Sequence, residues 1–183
     1  MDILMVTAEL APWVQSSDTG DSVASLSKAL RQLGHEVTIA LPRHAAFEDS
    51  GLLLARRLTP LALPNGESAV VFDGQLPSGV RLALFEPATK RETEELAMPG
   101  VLCAGAAALA AHRSHQGHPF NIVHLHDWQA ALTALHLRKQ GLVSQQAGGT
   151  KVVLTVYDAL DQGVFSRGDL GALLLDDGDF SAE

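Results

Sequence analysis

The chain has 183 residues, 46% apolar and 19% charged, the balance of one folded domain with a core of its own, which excludes disorder for the bulk of it. Lys and Arg number 13 against 21 Asp and Glu, a net charge of −8, and a surface of that sign repels phosphate backbones, so nucleic acid is not an expected partner. The single cysteine, Cys103, excludes an internal disulfide and a Cys-based zinc cluster, and reads as a small buried hydrophobe in an Ala-rich helix.

Met1 to Ala8 is a short apolar run interrupted only by Asp2 and followed by Pro12, the pattern of a buried parallel strand. A polar loop, residues 15–21, comes next. Val23, Leu26, Ala29, Leu30 and Leu33 then recur at helical spacing up to Gly34, with Asp18 or Asp21 placed to cap a helix starting near Ser22. Val37 to Leu41 is a second strand, closed by Pro42, and strand–helix–strand in this length is a βαβ unit with a right-handed crossover. Ala69–Phe72 and Val80–Phe85 read as two strands joined by a Gly- and Pro-containing turn. Pro99-Gly100 introduces a long helix over roughly Val101–His115, with Pro119 fixing its end. Ile122–Leu125 is a strand, Trp128–Lys139 a helix and Val152–Val156 a further strand. The alternation predicts an α/β fold, a Rossmann-like, mostly parallel sheet with helices on both faces. One domain spans residues 1–175, and the acidic end, 176–183, is expected to fray. No leader-like segment opens the sequence and no apolar run reaches about 18 residues, so the expectation is a cytoplasmic chain without membrane contact.

Ligands of open parallel sheets sit beyond the carboxyl ends of the strands. The loops leaving those ends are residues 9–21, His126–Trp128 and Tyr157–Gly163, and topology predicts that they converge. His124 and His126 alternate onto one side of their strand, and Asp127 is placed to cap the next helix. The pair has three readings: metal ligands, structural histidines, or a sugar- or phosphate-contacting His126. No Glu or Cys sits at a recognised metal spacing, and the strand-end position favours ligand contact. His112, His115 and His118 drift around a helix and read as a solvated end. No metal or cofactor is expected.

Four stretches in order resemble one family. Glu9-Leu10-Ala11-Pro12-Trp13-Val14 is similar to an S-E-x-x-P-F-x opening. Leu26-Ser27-Lys28-Ala29-Leu30, Gly34-His35-Glu36-Val37 and Leu41-Pro42-Arg43 are similar to L-P-x-A-L, G-H-x-V and L-P-x. Val123-His124-Leu125-His126-Asp127-Trp128-Gln129 matches V-H-x-H-D-W-x. Leu154-Thr155-Val156-Tyr157-Asp158 with Gln162-Gly163-Val164-Phe165 is similar to L-T-I-H-N with Q-G-x-F. The family is that of bacterial glycogen synthases and plant starch synthases, and the resemblance runs from Met1 to about Phe165. It implies the N-terminal half of a two-domain GT-B glycosyltransferase. The implied activity is retaining transfer of glucose from ADP-glucose to an α-1,4-glucan.

Where the family has K-T-G-G-L, this chain has Gln15-Ser16-Ser17-Asp18-Thr19, and where it has T-I-H-N, this chain has Thr155-Val156-Tyr157-Asp158. Glycines let backbone N–H groups approach a diphosphate and Lys adds positive charge, so both changes weaken a phosphate grip. The resemblance leaves His126 and Asp127 as catalytic candidates. Glu9, Gln15, Ser16, Ser17, Asp18, Tyr157, Asp158 and Gln162 are the substrate-binding candidates. Most of the family's nucleotide grip lies in a second Rossmann domain that these residues do not match. The expectation is therefore a degenerate glycogen-synthase-like domain, without glucosyl transfer of its own, acting as an interaction or regulatory module. The alternatives are an N-terminal portion of an ADP-glucose-dependent glucosyltransferase and a nucleotide-sugar-sensing domain. Expected partners are a protein or a second copy covering the face left by a missing C-terminal domain, with ADP-glucose or glucan bound weakly.

Overall fold

The computed structural model describes residues 1–89, 96–143 and 149–180. Its strands are β1 (Asp2–Val6), β2 (Glu36–Pro42), β3 (Ala55–Arg56), β4 (Leu61–Ala62), β5 (Ser68–Gln75), β6 (Arg81–Pro87), β7 (Ile122–His126) and β8 (Lys151–Thr155). Its helices are α1 (Asp18–Gln32), α2 (Ala97–His115), α3 (Trp128–Ala131) and α4 (Thr133–Lys139). All strands join one mixed sheet in the order β3-β5-β6-β2-β1-β7-β8, with β4 on the outer side of β5. The five strands from β6 to β8 run parallel, and β3 to β6 form an antiparallel extension at one side.

β1 holds the centre because its side chains are apolar on both faces. Leu4 and Val6 enter one core layer, while Ile3 and Met5 enter the other. The first layer is closed by α2 with α3 and α4, the second by α1 and the turn around Phe47. The sheet thus carries helices on both faces, as the alternation predicts. Four fully buried aliphatic side chains in one five-residue strand are worth roughly 1.5–3 kcal/mol each, which is why a two-sided apolar run takes the middle of a sheet. The small residues of α2 serve close approach: a Cβ on Gly105 would lie 2.8 Å from the Phe85 ring of β6.

Several boundaries differ from the sequence reading. α1 begins at Asp18, four residues before Ser22, and its cap is Ser17, whose Oγ accepts from the Thr19 N–H at 3.2 Å. Asp18 and Asp21 occupy the first turn instead of the cap. α2 begins at Ala97, because Pro99 falls in a first turn whose N–H groups have no helical acceptor in any case. The helix expected over 128–139 is two, α3 and α4, meeting at Leu132. Leu170, Leu173 and Leu175 pack against Leu96, Leu132, Leu135 and Phe165. The acidic end is held as far as residue 180. Asp179 is 7% exposed and pairs with Lys139 of α4 at 2.8 Å, and its other oxygen accepts the Asp176 N–H at 2.8 Å. Residues 181–183 of the expected frayed tail lie outside the described residues.

Cys103 is buried, its Sγ donating to the Gln129 carbonyl at 3.2 Å, and burial pushes the thiol up to about 11. His112, His115 and His118 are exposed at the end of α2. No described helix is long and apolar enough to cross a membrane.

Candidate functional site

The loops after β1, β7 and β8 meet over the carboxyl ends of the central strands and enclose a cleft of about 540 Å³. Eight of the ten candidate residues line it: Glu9, Ser16, Ser17, Asp18, His126, Asp127, Tyr157 and Asp158. Gln15 and Gln162 do not. Gln15 donates to Asp21 on the first turn of α1, and Gln162 donates to the Ala159 carbonyl at 2.7 Å within its own loop.

Glu9 organises the first loop. Its carboxylate accepts from the Ser16 and Ser17 N–H groups, each at 3.1 Å, and from both hydroxyls. Burial acts to raise its pKa, but these four donors outweigh that, and the group lies below the usual carboxylate range. The N–H groups of Ser17, the cap residue of α1, and of Ser16 before it are thus engaged by a carboxylate of the protein itself, while the Thr19 N–H in the first turn is taken by the Ser17 hydroxyl.

Asp127 joins all three loops. It does not cap α3 with its side chain, which corrects the sequence reading. Oδ2 instead accepts from the Thr19 hydroxyl of α1 at 2.7 Å, and Oδ1 accepts from the Tyr157 N–H at 2.7 Å. The cost is conformational: Asp127 sits at φ 58°, ψ −178°, a region occupied almost entirely by glycine. Thr19, Gln129 and Asp161 also line the cleft. The sequence reading passed over them: Thr19 stands at the family's Leu, and Asp161 lies in a loop already singled out for its polarity.

His124 and His126 share a face, with ring centroids 4.2 Å apart. His124 Nε2 meets the Thr155 hydroxyl at 2.7 Å, and His126 Nδ1 meets the Tyr157 hydroxyl at 3.1 Å. His126 is 1% exposed, and its Nε2 has no hydrogen-bond partner among the described residues. Burial first, then the neighbouring His124, pushes its pKa down to about 3. The imidazole is therefore neutral at physiological pH, able to donate or accept a hydrogen bond at Nε2 according to its tautomer. Burial and the Asp127 charge raise the Tyr157 phenol. Among the described residues no group of three or more His, Cys, Asp or Glu is placed to hold a metal ion.

Charge distinguishes the cleft. Among the described residues Glu9, Asp18, Asp127, Asp158 and Asp161 line it, and neither a Lys nor an Arg does.

Residues 2–183 match the family model of the starch synthase catalytic domain. A glycogen synthase of Dechloromonas aromatica is 32% identical over 193 residues, covering 94% of this chain and 37% of that protein. One from Anaeromyxobacter sp. (strain Fw109-5) is 30% identical over 192 residues, covering 94% and 38%. In fold the chain is similar to the catalytic domain of starch synthase IV from Arabidopsis thaliana bound to ADP and acarbose. The TM-score is 0.78 at 24% identity, over 95% of this chain and 37% of that one. The chain thus spans somewhat over a third of the length of these relatives.

Proposed function

Because the chain belongs to the starch synthase catalytic domain family, yet presents an acidic cleft where a sugar nucleotide would approach, we propose that it carries out no glucosyl transfer by itself and serves as an interaction or regulatory module. The carrying observation is the lining: among the described residues, five carboxylates and no Lys or Arg. A unit charge pair at 4 Å is worth roughly 1–4 kcal/mol between water and a surface-like dielectric. Replacing the family's Lys by Gln15 removes that attraction, and Asp18 adds a repulsion of the same order. Glu9 meanwhile occupies the N–H donors of Ser16 and Ser17.

The test is glucose incorporation into glycogen from labelled ADP-glucose by the purified chain. Incorporation at the no-protein level is expected. Turnover above it, lost in His126→Ala, sinks the proposal.

A second reading is favoured by the retained cleft, in which Asp127 ties the three loops together. In it the chain is the N-terminal portion of an ADP-glucose-dependent glucosyltransferase completed by a second domain. Mixing the chain with a C-terminal synthase domain supplied separately distinguishes the two, since only the second reading yields incorporation.

The module reading is also supported by the open side of the sheet. Among the described residues β8 is the last strand there, with Val153 44% and Leu154 50% exposed, and Val156 just past its end 55% exposed. Such an edge invites a protein partner or a second copy, and the mass in solution at micromolar concentration reports on the latter.

A further inference from the structure

We infer that the chain binds a small phosphate-type oxyanion at the opposite end of the sheet from the cleft, in a pocket of about 270 Å³ between the amino ends of β2 and β6 and the last turns of α2. The inference goes beyond the functional reading above and does not depend on it.

Strand alternation and register assemble the site. Ala40, Val71 and Ala83 enter the core layer beneath α2. Two residues before Ala40 and Ala83 come Thr38 and Arg81, and two after Val71 comes Asp73, so all three face the same way. Arg81 stands directly beside Thr38, and Asp73 beside Ala83, on strands about 4.8 Å apart. Arg57 grips Asp73 as a fork, Nε and Nη2 each donating at 2.7 Å. Leu109 of α2 belongs to the same core layer. Arg113 follows one turn later on that side of the helix, its guanidinium 4.4 Å from the centre of the Phe120 ring. Thr38, Arg57, Arg81 and Arg113 all line the one pocket.

Two independent observations point to an anion. The first is charge. Behind the lining, Glu36 is shared between Arg31 at 2.6 Å and Arg81 at 2.8 Å, and Asp2 meets Arg113 at 3.5 Å. Among the described residues four guanidinium groups thus meet three carboxylates, a local positive excess in a chain whose net charge is −8. Each of the three lining arginines keeps its Nη1 without a hydrogen-bond partner among the described residues, and planar guanidinium donors match phosphate oxygens. The second observation is Thr38. It is 9% exposed and lines the pocket, and its hydroxyl makes no hydrogen bond among the described residues. A buried hydroxyl without a partner is costly, and beside Arg81 this one is placed to donate to an anion oxygen. Size sets the rest of the ligand class. The volume of about 270 Å³ falls below the roughly 300–1,000 Å³ of drug-sized sites, which suits free phosphate or a small monoester.

Titrating the whole chain with inorganic phosphate, followed by amide nuclear magnetic resonance with sodium chloride as the ionic-strength control, tests this. Saturable shifts at the Thr38, Arg81 and Arg113 amides are expected, with a Kd of roughly 1 mM or tighter. Arg81→Gln should weaken binding about tenfold and Thr38→Val about threefold, the loss of a charged and of a neutral hydrogen bond. Both positions tolerate the change: the Arg81 side chain is 51% exposed, and valine keeps the branched shape that a strand favours. Glycerol 3-phosphate presents the same group as an ester. Tighter binding than inorganic phosphate assigns the pocket to monoesters, and weaker binding assigns it to the free ion. The inference is overturned if these amides do not move up to about 10 mM phosphate, if chloride moves them equally, or if both variants bind phosphate as the wild type does.

Discussion

Substituting Asp127 by Gly and, separately, by Ala divides the residue's two contributions. Both changes delete the hydrogen bonds from the Thr19 hydroxyl and the Tyr157 N–H. A bond to a charged acceptor contributes about 1.5–3 kcal/mol, so losing two costs roughly 3–6 kcal/mol, less where water reaches the vacated donors. Only Gly relieves the backbone at φ 58°, ψ −178°, where a side chain costs about 1–3 kcal/mol. Gly returns about 0.4–1 kcal/mol of that through its freer unfolded chain. Asp127→Gly is therefore expected to be more stable than Asp127→Ala by about 1 kcal/mol, and both less stable than wild type. In a domain of this size that is a Tm difference of about 2–4 °C. Urea unfolding followed by far-ultraviolet circular dichroism reads the order directly. Ala equal to or above Gly would refute the claim that the loop holds Asp127 in a strained conformation. Wild-type stability in both would refute the role of its two hydrogen bonds.

The lost family motif can be restored with Gln15→Lys/Ser17→Gly/Asp18→Gly. Affinity for ADP should rise by roughly 1–3 kcal/mol at low salt, and an unchanged calorimetric titration would show that the loop does not address the cleft. Acid should destabilise the fold through His126. Its pKa is about 3 in the folded chain against about 6.5 unfolded, so the unfolded state binds the extra proton between those values and stability falls as pH drops through that window, by about 1.4 kcal/mol per unit. His44, His124 and His136, whose pKa values burial also lowers, add with the same sign. His126→Gln should flatten the dependence of stability on pH by one proton, and an identical slope would contradict the assignment. Gly163 has φ +61°, and a Cβ there would collide with the Trp128 ring. Gly163→Ala should lower stability and shift Trp128 fluorescence, and an unperturbed spectrum would show that the loop moves away freely. Asp179→Ala removes the ion pair with Lys139 and should expose the C-terminal segment to limited proteolysis, a result absent if Leu173 and Leu175 alone hold it.

The parallel strands were legible because each interior strand carries its own signal. Val37–Leu41, Ile122–Leu125 and Met1–Val6 are short apolar runs bounded by Pro, Gly or polar residues, and burial on both faces demands such runs. The convergence of loops followed from topology and eight candidates do line one cleft. β3 and β4 were not legible, since two-residue strands leave no periodicity. The start of α1 was misplaced because Ser17, Asp18 and Asp21 are all competent caps, and the choice falls to packing: a Cβ on Gly20 would stand 3.1 Å from the Val14 carbonyl, so the first turn is pressed against the preceding loop. Asp127 was misassigned because its partners, Thr19 and Tyr157, are 108 and 30 residues away. The docked end was missed for the same reason: Asp179 finds Lys139 across 40 residues.

The place of β1 in the sheet bears on synthesis. β1 pairs on one side with β2, its Asp2 beside Glu36, and on the other with β7, its Ile3 beside Ile122. Of these eight strands, the one synthesised before the others is thus among the last to be closed in. At roughly 5–20 residues per second, on the order of 10 s separate the emergence of β1 from that of the strand that covers its second edge. Over that interval Ile3, Leu4, Met5 and Val6 are held only by a partial sheet. Any nascent chain or truncation ending before β7 leaves this edge open, with the apolar residues that form the centre of the finished domain as its most aggregation-prone segment.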